Sequence, residues 1–166
     1  MTRSEETYLR WIKEAEASRS MWIIGLVNEM IEHLGKEKAT EILVKQTYEM
    51  AGHNGEQLRQ YFMSQGLENS LQQYKEYGMS EESVYTFAWK GGLVLDSDDE
   101  MIIEWTKCPM AAGYKGLGSN GVEIGEILCS HLDNAFIQKY NPKYECIRES
   151  SLNVDGLCRL HFKLKE

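Results

Sequence analysis

Up to about residue 80, apolar side chains recur at helical spacing; beyond it they fall into short runs rich in β-formers, and this change of period limits the folds open to the chain. Leu9, Ile12, Ala15, Trp22, Leu26, Met30 and Leu34 follow one another at helical intervals, and Gly35 stands where a C-cap is expected. A second helix is expected from about Glu37, carrying Ile42, Leu43, Tyr48 and Met50. Gly52-His53-Asn54-Gly55 reads as a break, followed by a third helical stretch with Leu58, Tyr61, Phe62 and Leu71 that fades by Gly78. Val84 to Leu95 and Met101 to Thr106 then predict a hairpin turning at Ser97-Asp98-Asp99. A glycine-rich loop from Ala111 to Gly121 leads into a helix from Val122 to Tyr140, ended by Asn141-Pro142. Tyr144 to Ser150 and Leu157 to Leu164 form a second hairpin around Asn153-Val154-Asp155-Gly156. Hairpins imply antiparallel pairing, so the expected class is α+β. The N-terminal helices should pack on an antiparallel sheet built from two hairpins that flank a central helix. One domain over residues 1–166 is expected, with a helical half (1–80) and a mixed half (81–166).

Charge and composition narrow the function. The net charge of −8 at pH 7 opposes a broad electrostatic grip on nucleic acid or anionic lipid. No apolar run approaches the roughly 20 residues needed to span a bilayer, and Met1 to Glu6 lacks a signal-peptide core, so no membrane role and a cytoplasmic location are expected. In that compartment Cys108, Cys129, Cys146 and Cys158 are read as thiols or ligands and not as disulfides.

Those cysteines fall at informative places. On the central helix Cys129 and Asp133 are four residues apart, with Glu126 about one turn before, so an acid and a thiol share one side at the edge of the apolar face. A carboxylate there needs a partner, because burying it unpaired is costly. Cys108 precedes Pro109 where the chain leaves the sheet. On the last strand Cys158, Leu160 and Phe162 alternate against Arg159, His161 and Lys163, which puts Cys158 toward the core and His161 on the opposite face among cations. Cys146 shares its strand face with Tyr144 and Arg148. Three of these thiols could converge on zinc, although paired C-x-x-C spacing is lacking. His33 and His53 are isolated and read as solvated or structural.

Gly116 to Gly121 matches G-x-G-x-x-G in letters alone. No βαβ unit surrounds it and no acid follows at the required distance, so a dinucleotide site is rejected. Lys115, Gly118, Ser119 and Asn120 could instead hold a substrate carboxylate at the start of the helix, with Ser119 or Asn120 as its cap. A plain connector explains the same residues. The stripe through Trp11, Met21, Trp22 and Met30 could serve a homodimer or the core.

From Cys108 onward the chain resembles the L-2-amino-thiazoline-4-carboxylic acid hydrolase family. The residues that carry the likeness are Cys108-Pro109, Cys129 with Asp133, Asn141-Pro142, Asp155-Gly156 and Cys158-Arg159-Leu160-His161-Phe162. The order Asp155-Gly156 and the aliphatic Leu160 depart from the family pattern. The resemblance implies ring-opening hydrolysis of a small cyclic thioimidate-like carboxylate. It gives Asp133 an acid–base role, Cys129 a nucleophile or ligand role, and Cys108 and Cys158 a place in the pocket wall or a metal shell. The layout is also similar to 4-vinyl-reductase-like domains, which bind small molecules or metal without catalysis.

Overall fold

The computed structural model describes residues 4–80 and 89–166; Val84 to Thr86 and the rest of the predicted start of the first strand lie outside them. Helix α1 (Glu5–Leu34) begins at Ser4, whose Oγ accepts the Thr7 N–H, and carries Glu5 and Glu6 in its first turn. Gly35, in a left-handed conformation (φ 81°), turns the chain directly into α2 (Lys36–Ser64). A short α3 (Leu71–Gly78) starts with a capping box between Ser70 and Gln73. Strands β1 (Lys90–Asp96) and β2 (Glu100–Lys107) make the first hairpin. Helices α4 (Pro109–Gly116) and α5 (Gly118–Tyr140) follow, and β3 (Tyr144–Ser150) with β4 (Cys158–Leu164) make the second. The four strands form one antiparallel sheet in the order β1-β2-β4-β3, so the two hairpins meet at β2 and β4. The fold is α+β, as the sequence predicts. No helix among the described residues is long and apolar enough to cross a membrane.

Two expectations about breaks are corrected. Residues 52–55 do not interrupt a helix: α2 runs through them, and Leu58 and Phe62 lie on its buried face. The glycines serve contact between helices instead. A methyl group on Gly55 would sit 2.2 Å from the Phe136 carbonyl oxygen, so α2 approaches α5 backbone to backbone. The predicted loop from Ala111 to Gly121 is likewise mostly helix. Pro109 occupies the first turn of α4, where its missing N–H costs nothing, and Gly118 (φ 76°) lets the chain kink from α4 into α5.

The sheet has one apolar and one charged face. Met101, Ile103, Trp105, Leu160, Phe162, Tyr144 and Cys146 point inward and pack on Leu58, Phe62, Leu71, Ile137 and Tyr140. A smaller cluster joins Ile24, Val27 and Leu43 to Tyr114 and Ile124. The outer face carries charges in cross-strand pairs. His161 is not solvated among cations as expected: its Nε2 lies 2.6 Å from Glu100 and its Nδ1 3.0 Å from Glu149. It does face away from Cys158, as the alternation requires.

Replacing Gly55 by alanine is expected to destabilise the protein by about 2–3 kcal/mol, because the neighbour is rigid backbone on α5. Gly116→Ala, where a methyl group meets open space, is expected to change stability by less than about 1 kcal/mol. Urea unfolding of both variants measures the difference as a shift in midpoint at constant slope.

Candidate functional site around Asp133

Glu126, Cys129 and Asp133 are separated by three and four residues, so α5 presents all three along one side. That side meets the second hairpin. Arg148 reaches inward from β3 with its side chain only 15% exposed, and its Nη2 donates to Glu126 Oε2 at 2.7 Å. Glu126 also accepts from Ser151 Oγ and, at 2.9 Å, from Asn153 Nδ2. One carboxylate thus ties the turn between β3 and β4 to the helix, and Arg148 is fixed beside the rest of the helix face.

Asp133 is half-buried, and loss of hydration lifts its carboxyl from the ordinary 3.8 to about 6; the Arg148 guanidinium and its own backbone N–H hold it lower than burial alone would. Its negative charge reaches all four thiols and raises each. Burial is the main cause at every one. Cys129 and Cys158 are pushed up to about 12, each partly offset by Arg148. Cys146 is raised further still, among the apolar side chains of β3 and β4. Cys108 is raised less, because backbone N–H groups of Ala111 and Met110 and the Trp89 indole donate to its sulfur. Tyr74, packed on Phe136, Tyr140 and Phe162, is raised by burial first and by Asp133 next. Asp133 therefore sits at the seam of the two apolar clusters, with Cys129 packed on one and Cys158 on the other. Its surroundings are neutral thiols, aromatic rings and one guanidinium.

The family model for L-2-amino-thiazoline-4-carboxylic acid hydrolase matches residues 14–162. The chain belongs to this hydrolase family. No curated protein matches it. Two solved structures share the fold. Trafficking protein particle complex subunit 3 from Naegleria fowleri, covalently bound to palmitic acid, is 16% identical with a TM-score of 0.59, covering 93% of this chain and 97% of that one. The phenol-responsive sensory domain of the transcription activator PoxR, with phenol, is 12% identical with a TM-score of 0.58, covering 87% of this chain and 74% of that one. At these identities the likeness concerns the fold alone.

Within this hydrolase-family chain, Cys108 at the end of β2, Cys129 on α5 and Cys158 on β4 each lie within electrostatic reach of Asp133. The four residues expected to receive a carboxylate do not join them. Lys115, Gly118, Ser119 and Asn120 are exposed at the junction of α4 and α5, and Asn120 lies about 20 Å along the helix axis from Asp133. The α5 N-cap is Leu117, without a side-chain cap, so Ser119 and Asn120 lie inside the first turn. Asn120 instead donates to Asn28 of α1 at 2.9 Å, beside a groove of about 270 Å³ between α1, α2 and α5. Glycines in this stretch close a helix–helix contact; a methyl group on Gly121 would strike the Tyr114 carbonyl. Nor do the thiols form a zinc shell: among the described residues no three His, Cys, Asp or Glu side chains gather as metal ligands. His33 and His53 are exposed. Arg148 is the participant that sequence reasoning missed. Its signal was present, since an arginine alternating with Tyr144 and Cys146 on a core-facing strand needs an acid to meet it.

The cysteines should resist alkylation. With a thiol at about 12, roughly one in 10,000 copies of Cys129 is ionised at pH 8, so iodoacetamide should label it only after unfolding. Mass spectrometry of peptides labelled before and after denaturation measures this. Asp133 also sets a pH dependence. Its folded pKa lies above the unfolded one, so its contribution is most favourable below about 3.8 and is lost as pH rises through about 6, a penalty on the order of 3 kcal/mol at pH 8. Asp133→Asn should therefore gain stability relative to the parent between pH 5 and pH 8, read from thermal unfolding at both.

Proposed function

We propose that the chain hydrolyses a small cyclic carboxylate of the 2-amino-thiazoline type, with Asp133 moving the protons. The observation that carries this reading is a half-buried carboxyl group raised to about 6 by loss of hydration, within electrostatic reach of Arg148 and beside two thiols that pack on the apolar clusters. Such a group exchanges protons near neutral pH in either direction, as a general base and then a general acid. In the reaction, ionised Asp133 takes a proton from water while the water oxygen bonds to the ring carbon between sulfur and nitrogen. Asp133 hands that proton to the ring nitrogen as its double bond to the carbon opens, then takes the proton of the new hydroxyl and gives it to the ring atom that the tetrahedral carbon expels as the carbonyl forms. Loss of nitrogen leaves an S-carbamoyl amino acid; loss of sulfur leaves an N-carbamoyl amino acid whose own side chain carries the freed thiol. Arg148 supplies the cation for the substrate carboxylate. It keeps donors beyond the one given to Glu126, whereas the α4–α5 junction is too distant to hold the same small molecule. The thiols are a poor choice of nucleophile, because the carboxylate beside them and their burial both oppose the thiolate. They serve as a neutral, polarisable wall.

Hydrolysis of 2-amino-thiazoline-4-carboxylate by the purified chain should rise with pH through about 6 and level off. Asp133→Asn should lose at least about 100-fold in kcat, as expected for removal of an acid–base group. Cys129→Ala should retain activity within about tenfold. Full activity in Asp133→Asn would overturn the assignment.

The uniformly neutral thiols and aromatic walls favour one second reading, a binding domain without turnover. Proteins of similar fold carry palmitic acid and phenol, which supports a place for apolar molecules in this architecture. Thermal stabilisation by phenols, with no hydrolysis of the thiazoline acid, would select it.

A further inference from the structure

Glu126 is held on both of its oxygens. Oε1 accepts from Ser151 Oγ and, at 2.9 Å, from Asn153 Nδ2, while Oε2 accepts from Arg148 Nη2 at 2.7 Å. The turn that supplies the first two donors is itself braced. Asp155 Oδ2 accepts the Ser151 N–H at 2.7 Å, and Ser151 Oγ accepts the Asn153 N–H at 3.2 Å. Asp133 is held differently. Its own backbone N–H donates to its carboxyl, and among the described residues no ion pair joins it to Arg148. Seven residues separate the two acids, which puts them on one side of α5, about 10 Å apart along the axis. A guanidinium bonded to Glu126 is therefore out of contact with Asp133.

We propose that Glu126 is the positioning residue of this centre: by holding Arg148 at its own end of the helix face, it prevents a direct ion pair between Arg148 and Asp133. The turn anchors Glu126 Oε1, which leaves Oε2 in a fixed place for Arg148. Asp133 then keeps only the longer-range attraction of that guanidinium. Its loss of hydration is not offset by a charge-assisted hydrogen bond, so its carboxyl stays near 6 and does not fall back toward the ordinary carboxylate range. The other titratable groups facing Asp133 have no such influence. Cys129 of α5, Cys146 of β3, Cys158 of β4, Cys108 at the end of β2 and Tyr74 of α3 are all raised, and so are neutral where Asp133 titrates. His131, two residues before Asp133, packs on the Tyr48 ring of α2 with centroids 5.3 Å apart. Arg148 is thus the charge near Asp133 that a neighbouring residue can redirect.

Titration of the Asp133 carboxyl by NMR of the full chain labelled at aspartate carboxyl carbons tests this, with the resonance assigned by its loss in Asp133→Asn. In Glu126→Gln the amide oxygen can keep the Ser151 and Asn153 donors, but its NH2 group meets Arg148 donor to donor, so the arginine is released toward Asp133. Asp133 should then titrate at about 5 or lower instead of about 6. Glu126→Asp keeps the charge on α5 but withdraws it by one carbon, and should move the titration the same way by less. Arg148→Gln should raise it, and adding Glu126→Gln to that variant should change nothing further. An unmoved or raised titration in whichever of Glu126→Gln and Glu126→Asp is folded by circular dichroism would overturn the inference. Failure of both to fold would also overturn it, since Arg148 would then have no second partner to take. So would an equal downward movement from Glu126→Gln in the Arg148→Gln background, which would mean simple repulsion between the two acids. The titration needs no substrate, so an inactive parent chain would end the hydrolase reading alone.

Discussion

Arg148 is the charge on which the interior of the second half depends. It enters from β3, hydrogen-bonds to Glu126 of α5 and lies within electrostatic reach of Asp133, seven residues further along that helix. Half-buried acids on a helix that faces an apolar sheet would each be strongly unfavourable alone. A guanidinium has the donors and permanent charge to serve both, whereas a lysine would serve as a single point charge. The balance is incomplete at Asp133, where loss of hydration outweighs the attraction of Arg148. A carboxyl that titrates near neutrality is the consequence.

The same arrangement explains the cysteines. Four sulfurs, from the end of β2, from α5, from β3 and from β4, feel the charge of one acid, yet none is activated, because burial and that negative charge act in the same direction on every one. A thiolate enzyme needs the opposite environment, with cations or helix N-termini near the sulfur. The thiols therefore stay neutral beside the acid, and the chain belongs to the hydrolase family.

Close backbone contact is the second constraint. Gly55 lets α2 lie against α5, and the glycines of α5 let α4 lie against it. These contacts hold α5 in place and so determine where Glu126, Cys129 and Asp133 face. Glycine inside a helix costs about 1 kcal/mol in propensity. Here packing outweighs that cost, which is why a local reading of residues 52–55 and 111–121 mistakes helix for turn.

Local pattern in the amino-acid sequence was enough for the α+β class, the two hairpins, the inward side of β4 and the sharing of one helix side by Cys129 and Asp133. Each follows from periods of 3.6 or 2 within a single element. No spacing required that Asp133 come within electrostatic reach of Cys108 and Cys158. Tertiary structure alone decided that Arg148 meets Glu126 and comes within electrostatic reach of Asp133, and that His161 sits between two glutamates. Those relations join elements tens of residues apart, and they depend on strand order and helix approach, which no local period encodes.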